Sequence, residues 1–373
     1  MDAWSFPLLG ASAVLIGLHV LTCLVAGLRL RTAPVAVAKH EPMTIVVSIA
    51  GLDAFEMDAA FSALALAGPT VELVFCAYDE AEPAVIALRR RLAFSPAMNV
   101  RVCIGRRRWS RNPKLDNIEK AFDLVRTELV VFADGNVRLP LDFPDRLLAE
   151  WNDTTGAVTS PPQAANPEGF WAEVEYAMLN PLFARYQIVS DWLGAGYVHG
   201  KVFMMRHSFL AAHGGMKALD GEPIEDGAAT RLVRAAGQRI KLTRRLFEQP
   251  LGRRLLADVW QRNLRWAQQR RYCYPVVFVF EPLMTGLPAL ALAASGAAVS
   301  GVSVLPVVIA TSVLWYGSEA VLALLAGWEW RPRSVVAAMT RDVLAIGVWC
   351  AAWFRTAYVW RGQPVNLSDA PTA

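Results

Sequence analysis

The sequence predicts an α/β fold whose mainly parallel, doubly wound sheet lies between apolar segments at both ends of the chain. Three observations predict it. Short apolar runs alternate with helix-patterned segments from Thr44 to Asp134, the pattern of strands buried on both faces by intervening helices. About 30 mostly apolar residues open the chain and about 80 more come near its end, each stretch long enough for one or more membrane crossings. Hydrophobic residues make up 54% of the chain and mean hydropathy is +0.31, an excess that sits at the two ends rather than in a larger core.

Taken in order, Phe6–Leu30 is the first span. Its leading MDAWSFP is acidic, and Arg29, Arg31 and Lys39 lie at or beyond its far end. A secretory signal has the opposite charge order, so an anchor is expected, with its N-terminus outside and the next domain in the cytosol. Strands are expected at Thr44–Ile49, Val71–Ala77, Val100–Ile104 and Leu129–Ala133, and helices at Phe55–Leu66, Pro83–Leu92 and Lys114–Val125. In such sheets ligands bind beyond the carboxyl ends of the strands, where Asp79 and Asp134 both fall. The region from Trp151 to Gln249 is less regular, with a strand at Val202–Met205 and a helix at Gly227–Ala236. A helix carrying Arg-Asn-Leu-Arg-Trp comes after Pro250. Three apolar stretches then run near Val276–Ser300, Val302–Ala326 and Val335–Phe354. Pro275, Pro282 and Pro288 are expected to kink the first, and Arg341-Asp342 to interrupt the last. The side on which the tail with Trp360-Arg361-Gly362 lies stays open. The expected divisions are residues 1–40, an anchor and linker; 41–250, the α/β domain; 251–274, an amphipathic interfacial helix; and 275–373, membrane segments and tail.

Net charge is only +4, but between Arg231 and Arg271 twelve basic residues face two acids, Glu248 and Asp258. Beside an apolar block, such a belt suits anionic headgroups rather than nucleic acid. The cysteines Cys23, Cys76, Cys103, Cys273 and Cys350 have no metal spacing and no disulfide framework. No Ser-His-Asp set, Cys-His pair or phosphate-binding Gly-rich loop is present.

Each candidate residue has a structural reading beside a chemical one. Asp134, in Val-Val-Phe-Ala-Asp-Gly-Asn, can ligate a divalent ion that holds a diphosphate, or cap a turn. Asp79, ahead of Pro83, has the same pair of readings. Glu225-Asp226 precedes Gly227 and a helix, so either acid can be an N-cap; alternatively, one is a general base for an acceptor hydroxyl. Arg262, Arg265 and Trp266 share a helix face. Arginine forks suit a departing diphosphate, and an indole can wall an acceptor site; the bland reading is a basic helix lying on lipid, with Trp260 and Trp266 at the interface. Asn112 and Lys114 can touch phosphate or base, or simply form a turn. Arg106-Arg107-Arg108 reads as a solvated loop, and His199 as packing as much as catalysis.

In this order the motifs resemble the ceramide glucosyltransferase family, among the inverting family-2-like glycosyltransferases. The resemblance runs from about Thr44 to Phe354. It rests on Asp79 in FCAYDEAEP, on Asn112-Pro113-Lys114-Leu115-Asp116-Asn117, on Asp134 with Arg138, on Asp226 in its Glu-Asp pair, and on Arg262, Arg265 and Trp266. The resemblance implies a GT-A nucleotide-diphospho-sugar transferase domain and a UDP-sugar donor, UDP-glucose or a relative. It also implies inversion at the anomeric carbon, a divalent ion (Mg²⁺ or Mn²⁺), and a membrane lipid acceptor, ceramide or a hopanoid. Asp226, Arg262, Arg265 and Trp266 are then the catalytic candidates. Asp79, Lys114, Asp134 and Glu225 bind the donor, and Asp134 takes the metal. Two departures stand out: Ser48-Ile49-Ala50-Gly51 lacks a Lys/Pro-rich turn, and the second acid of the expected Asp-x-Asp is Asn136. The competing classes are a polyprenyl-phosphate transferase or polysaccharide synthase, and a non-catalytic membrane scaffold.

Overall fold

Strand β1 (Met43–Ser48) is buried along its whole length, and the reason is visible in its side chains. Met43, Ile45 and Val47 join one hydrophobic cluster while Val46 joins another. Successive strand residues face opposite ways, so a continuous apolar run requires cover on both faces. β2 (Val71–Ala77) and β4 (Leu129–Asp134) divide in the same way: Leu73, Phe75, Leu129 and Val131 fall on one side, Val74, Cys76, Val130 and Phe132 on the other.

The computed structural model describes residues 5–31, 41–52, 54–94, 99–110, 112–222, 224–360 and 363–367. Lys39, Arg361 and Gly362 lie outside the described residues. Further strands are β3 (Val100–Ile104), β5 (Thr155–Ser160), β6 (Pro162–Glu168), β7 (Val202–Arg206), β8 (Arg239–Leu242) and β9 (Phe247–Arg253). Seven of them form one sheet in the order β3-β2-β1-β4-β7-β5-β8. β1 pairs in parallel with both β2 and β4, whereas β7 runs antiparallel to β4 and β5. This is the expected mainly parallel sheet, with one reversed strand. β6 and β9 form a separate pair, as do Ala357–Trp360 and Gln363–Asn366.

The chain divides into two compact units. The sheet belongs to the unit built from residues 34–166, 190–252 and 356–373. The register of β1 sets Ser48 beside both Cys76 of β2 and Asp134 of β4, so the carboxyl ends of the three strands share one edge. Asn117, on the Pro113–Phe122 helix, ties that edge together by donating to Ser48 Oγ at 2.9 Å and to the Cys76 carbonyl at 3.0 Å. Asn112 starts this helix as its N-cap, accepting from Lys114 N at 2.9 Å, with Pro113 pre-set for the first turn. The expected solvated loop at Arg106 is not solvated at its first residue. Arg106 pairs with buried Asp116 at 3.1 Å and stacks over the Tyr78 ring at 4.9 Å.

The other unit comprises residues 1–33, 167–189 and 253–355. Among the described residues, three of its helices are long and apolar enough to cross a membrane: Phe6–Arg31, Val304–Ala326 and Pro332–Trp353. A fourth apolar stretch is broken into Pro275–Met284 and Gly286–Val299, bent by 57°; this is the kink that its prolines foretold. Arg341-Asp342 does not interrupt the last helix, which is continuous. Arg341 forks onto Glu319 at 3.0 Å through both terminal nitrogens, and Asp342 accepts from Gly286 N at 2.8 Å and Tyr316 OH at 2.9 Å. The charges are matched across helices and therefore need not break the one that carries them. Residues Phe170–Trp192, unassigned from sequence, form a helix that passes through Pro181 by a π-helical turn at Met178–Ala184. None of the five cysteines is in a disulfide.

Candidate active site

β4 delivers Asp134 as its last residue, and backbone hydrogen bonds fix the strand end. Asp134 N donates to the Lys201 carbonyl at 2.9 Å, and Gly135 N to the Ser48 carbonyl at 3.0 Å. A Cβ on Gly135 would lie 2.5 Å from Ser48 O and 2.7 Å from a Leu52 methyl. Only glycine fits between Asp134 and Asn136 there, so the spacing of these two polar side chains is a consequence of close strand-end contact.

Lys114 joins the strand-end acid to the Glu225-Asp226 segment. Its ammonium sits 2.7 Å from Asp134 Oδ1, 2.7 Å from Glu225 Oε1 and 2.5 Å from the Gly200 carbonyl. Those three contacts use all three of its protons. Asn112 Nδ2 donates to the other Glu225 oxygen at 2.6 Å. Asp226 lies in the first turn of the Glu225–Ala235 helix, not at its N-cap, which is Ile224. Its Oδ2 accepts from Gly200 N at 2.8 Å and its Oδ1 from Gly227 N at 2.8 Å. Gly200 is thus gripped from both sides, and a Cβ there would meet Glu225 Oε1 at 3.0 Å and Asp226 Oδ2 at 3.1 Å.

Electrostatics set the two aspartates apart. Burial pushes the Asp134 carboxyl up, but the ammonium groups of Lys114 and Lys201 outweigh it and hold the group well below the usual carboxylate range. For Lys114 the balance runs the other way. Burial opposes its charge, and Asp134 and Glu225 more than restore it, raising its pKa. Asp226 is pushed up to about 7, by desolvation first and by the charge of Glu225 second. One carboxylate is locked in its ionised form, and the other is poised to exchange a proton near neutrality.

Lys201 is the residue that sequence reasoning missed. Its ammonium lies 2.9 Å from Asp134 Oδ2 and 2.9 Å from Asn136 Oδ1. The only local signal was a lysine between Gly200 and the apolar run of β7. His199, singled out instead, accepts from Lys201 N at 3.2 Å through its ring and donates its backbone N–H to Thr159. The two oxygens of Asp134 and Asn136 converge on one cation, which is the donor type a hard divalent ion takes. Among the described residues no three His, Cys, Asp or Glu side chains form a metal cluster. A divalent ion here would therefore complete its shell with diphosphate oxygens and water, as Mg²⁺ commonly does.

Asp79 is exposed in the turn after β2, where its Oδ1 accepts from Ala81 N at 2.8 Å. β1 lies between its strand and that of Asp134. Glu82 staples this edge, accepting from Tyr78 N at 2.7 Å and from Gly51 N at 2.7 Å. Arg138, beyond Asn136, pairs with Glu248 at 2.9 Å.

Arg262, Arg265 and Trp266 belong to the other unit, on the Leu256–Cys273 helix, each partly buried. Arg262 contacts fully buried Glu175 at 2.8 Å, and Arg254 approaches the same carboxylate at 3.4 Å. Trp260, partly buried, packs in the cluster of Leu264, Phe278 and Val348, with a ring atom 3.3 Å from where a Gly347 Cβ would stand.

Known proteins resemble this chain in sequence. The chain is 24% identical over 216 residues to ceramide glucosyltransferase 1 of Caenorhabditis elegans, covering 57% of this chain and 46% of that protein. It is 21% identical over 253 residues to ceramide glucosyltransferase 3 of the same organism, covering 66% and 55%. The chain thus spans about half the length of these curated relatives. Among solved structures, a mannosyltransferase from Pyrobaculum calidifontis in complex with GDP-Man and Mn²⁺ aligns with a TM-score of 0.48 and 15% identity, over 93% of this chain and 99% of that one. Glucosyl-3-phosphoglycerate synthase from Mycobacterium tuberculosis, with Mn²⁺, UDP and glucosyl-3-phosphoglycerate, aligns with a TM-score of 0.38 and 16% identity, over 62% and 80%. The profile of glycosyl transferase family 21 matches residues 6–373, and on that match over nearly its whole length the chain belongs to glycosyl transferase family 21.

Proposed function

We propose that the protein is a membrane-bound inverting glycosyltransferase that moves a sugar, glucose, from a UDP-sugar to the hydroxyl of a membrane lipid, ceramide. The observation that carries the reading is the pairing of two differently tuned carboxylates in one cluster. Asp134 is held ionised by two lysines, and Asp226 has a pKa near 7. A glycosyl transfer needs both: a fixed charge site for the diphosphate and a proton acceptor for the nucleophile.

In the proposed reaction the lipid hydroxyl oxygen attacks the anomeric carbon from the face opposite UDP. The C–O bond to the β-phosphate breaks, UDP departs with that electron pair, and the hydroxyl proton passes to Asp226. Arg262 and Arg265 stabilise the departing diphosphate through their planar forks, and Trp266 lines the acceptor site. Asp79, Lys114 and Glu225 order the donor side. Asp134, with Asn136, would hold a Mg²⁺ or Mn²⁺ ion, which when bound supplies positive charge to the diphosphate. The apolar helices anchor the enzyme in the cytoplasmic membrane. The charge order about the first of them supports a cytosolic sheet unit.

The test is a panel of UDP-sugars incubated with detergent-solubilised full-length protein and a total membrane lipid extract. A new glycolipid whose sugar has the inverted anomeric configuration is expected. Transfer to a polyprenyl phosphate, with no product on any lipid hydroxyl, would contradict the reading.

A further inference from the structure

The Asp134-Gly135-Asn136 segment already holds a cation, and that cation belongs to the chain itself. Three features build the clamp without help from the flexible lysine stem. The Asp134 N–H to Lys201 carbonyl bond, 2.9 Å, fixes the lysine backbone beside the strand end. Asn136 Nδ2 donates to Glu56 Oε1 at 3.3 Å, which turns its Oδ1 toward Lys201. Gly135 allows the close turn between the two oxygens. The other oxygen of Asp134 is taken by Lys114 at 2.7 Å, so Oδ2, which is 2.9 Å from Lys201, is the one that an incoming ion must share.

A hard divalent ion seeks the same carboxylate and amide oxygens. An ammonium and a metal ion cannot both stand at the point where those oxygens converge. We propose that Lys201 is an internal counter-cation which competes with the divalent ion for the Asp134–Asn136 clamp, a role that rests on the proposed metal ligation by Asp134. The site then has two mutually exclusive fillings. With lysine in place, Asp134 is neutralised and the cluster is stable without metal. With metal in place, the Lys201 ammonium leaves the clamp and is available to a diphosphate oxygen. A ligand that brings anionic oxygens thereby favours the metal-filled state.

The experiment is a Mn²⁺ titration of detergent-solubilised full-length protein, followed by the electron paramagnetic resonance signal of free Mn²⁺, with no sugar donor or acceptor present. Lys201→Met and Lys201→Gln remove the competing charge in two shapes, and Lys201→Arg keeps it. Both neutral variants should bind Mn²⁺ about tenfold or more tightly than wild type, because they remove a like charge from the site. Lys201→Arg should stay close to wild type, and thermal unfolding of each variant checks that it is folded. Asp134→Asn tests the underlying metal ligation separately. Retained Mn²⁺ binding in that variant would overturn the metal role itself. Loss of binding there, combined with neutral Lys201 variants that bind no better than wild type, would overturn the competition alone. Absence of Mn²⁺ binding in every variant would overturn both.

Discussion

The ammonium of Lys114 lies 2.7 Å from Asp134 and an equal 2.7 Å from Glu225, joining a strand-end acid to one brought from 91 residues further along the chain. Asp134 keeps a second cation, Lys201 at 2.9 Å on its other oxygen, whereas Glu225 keeps the neutral Asn112 amide. Lys114→Met should therefore leave the buried Glu225 carboxylate without its cation, take one of two from Asp134, and cost about 3–5 kcal/mol. At about 2–4 °C per kcal/mol for a domain of this size, the unfolding midpoint should fall by roughly 6–20 °C. A midpoint within a degree or two of wild type would contradict the bridging role.

Gly135 is predicted to be irreplaceable for a steric reason. Gly135→Ala brings a Cβ to 2.5 Å from the Ser48 carbonyl, so the β4 end must move and the Asp134–Asn136 spacing with it. Donor affinity should drop about tenfold or more even if the fold survives. Calorimetric titration with a UDP-sugar checks this, and unchanged affinity would remove the spacing argument.

With Asp226 as the proposed general base, the pH dependence of transfer follows its ionisation. Its pKa is raised to about 7 in the folded protein from an ordinary 3.8. A general base must be deprotonated, so kcat/KM should rise with pH through a limb centred near 7 and level off above it. The stability effect has the opposite sense. Between the two pKa values the folded state binds the extra proton, so the contribution of Asp226 declines as pH rises from about 4 to 7. Asp226→Asn should abolish that part of the stability slope.

Membrane orientation is tested by labelling. A cysteine introduced at Arg107, an exposed residue of the sheet unit, should be unreactive toward a membrane-impermeant maleimide in intact cells and reactive after permeabilisation. Labelling of the Arg107→Cys variant without permeabilisation would reverse the proposed topology. The native cysteines must be replaced first, since Cys350 is exposed.

Three of the strands that announced themselves in the sequence are buried on both faces, while β3, also expected, is a partly exposed edge strand. Thr44–Ile49, Val71–Ala77 and Leu129–Ala133 are dense in branched and aromatic residues because helices cover both sides. β5 escaped because Thr155–Ser160 is fully buried yet made of small or polar residues. The helix through Pro181 escaped because proline reads as a stop unless a π-turn absorbs it. Arg341-Asp342 read as a break because its partners, Glu319, Gly286 and Tyr316, are 22 to 56 residues away in sequence. Within the candidate site, Asp134 and Glu225-Asp226 were legible as acids beyond a strand and at the start of a helix. Lys201 was not, because its place beside Asp134 comes from the pairing of β7 with β4 across 67 residues. Strand-end position is a local property that a sequence displays; a charge partner across the sheet is not.

The central claim is a division of labour between Asp134, on the donor side, and Asp226, as the proton acceptor. It is tested most directly by measuring UDP-sugar binding by calorimetry and single-turnover transfer to the lipid acceptor on the same samples of wild type, Asp134→Ala and Asp226→Asn. Asp134→Ala should lose transfer by roughly 10³-fold or more together with donor affinity. Asp226→Asn should bind the donor within about threefold of wild type while transfer falls by about 10²–10⁴-fold. Near wild-type transfer by Asp226→Asn, or a loss of donor binding as complete as that of Asp134→Ala, would contradict the account.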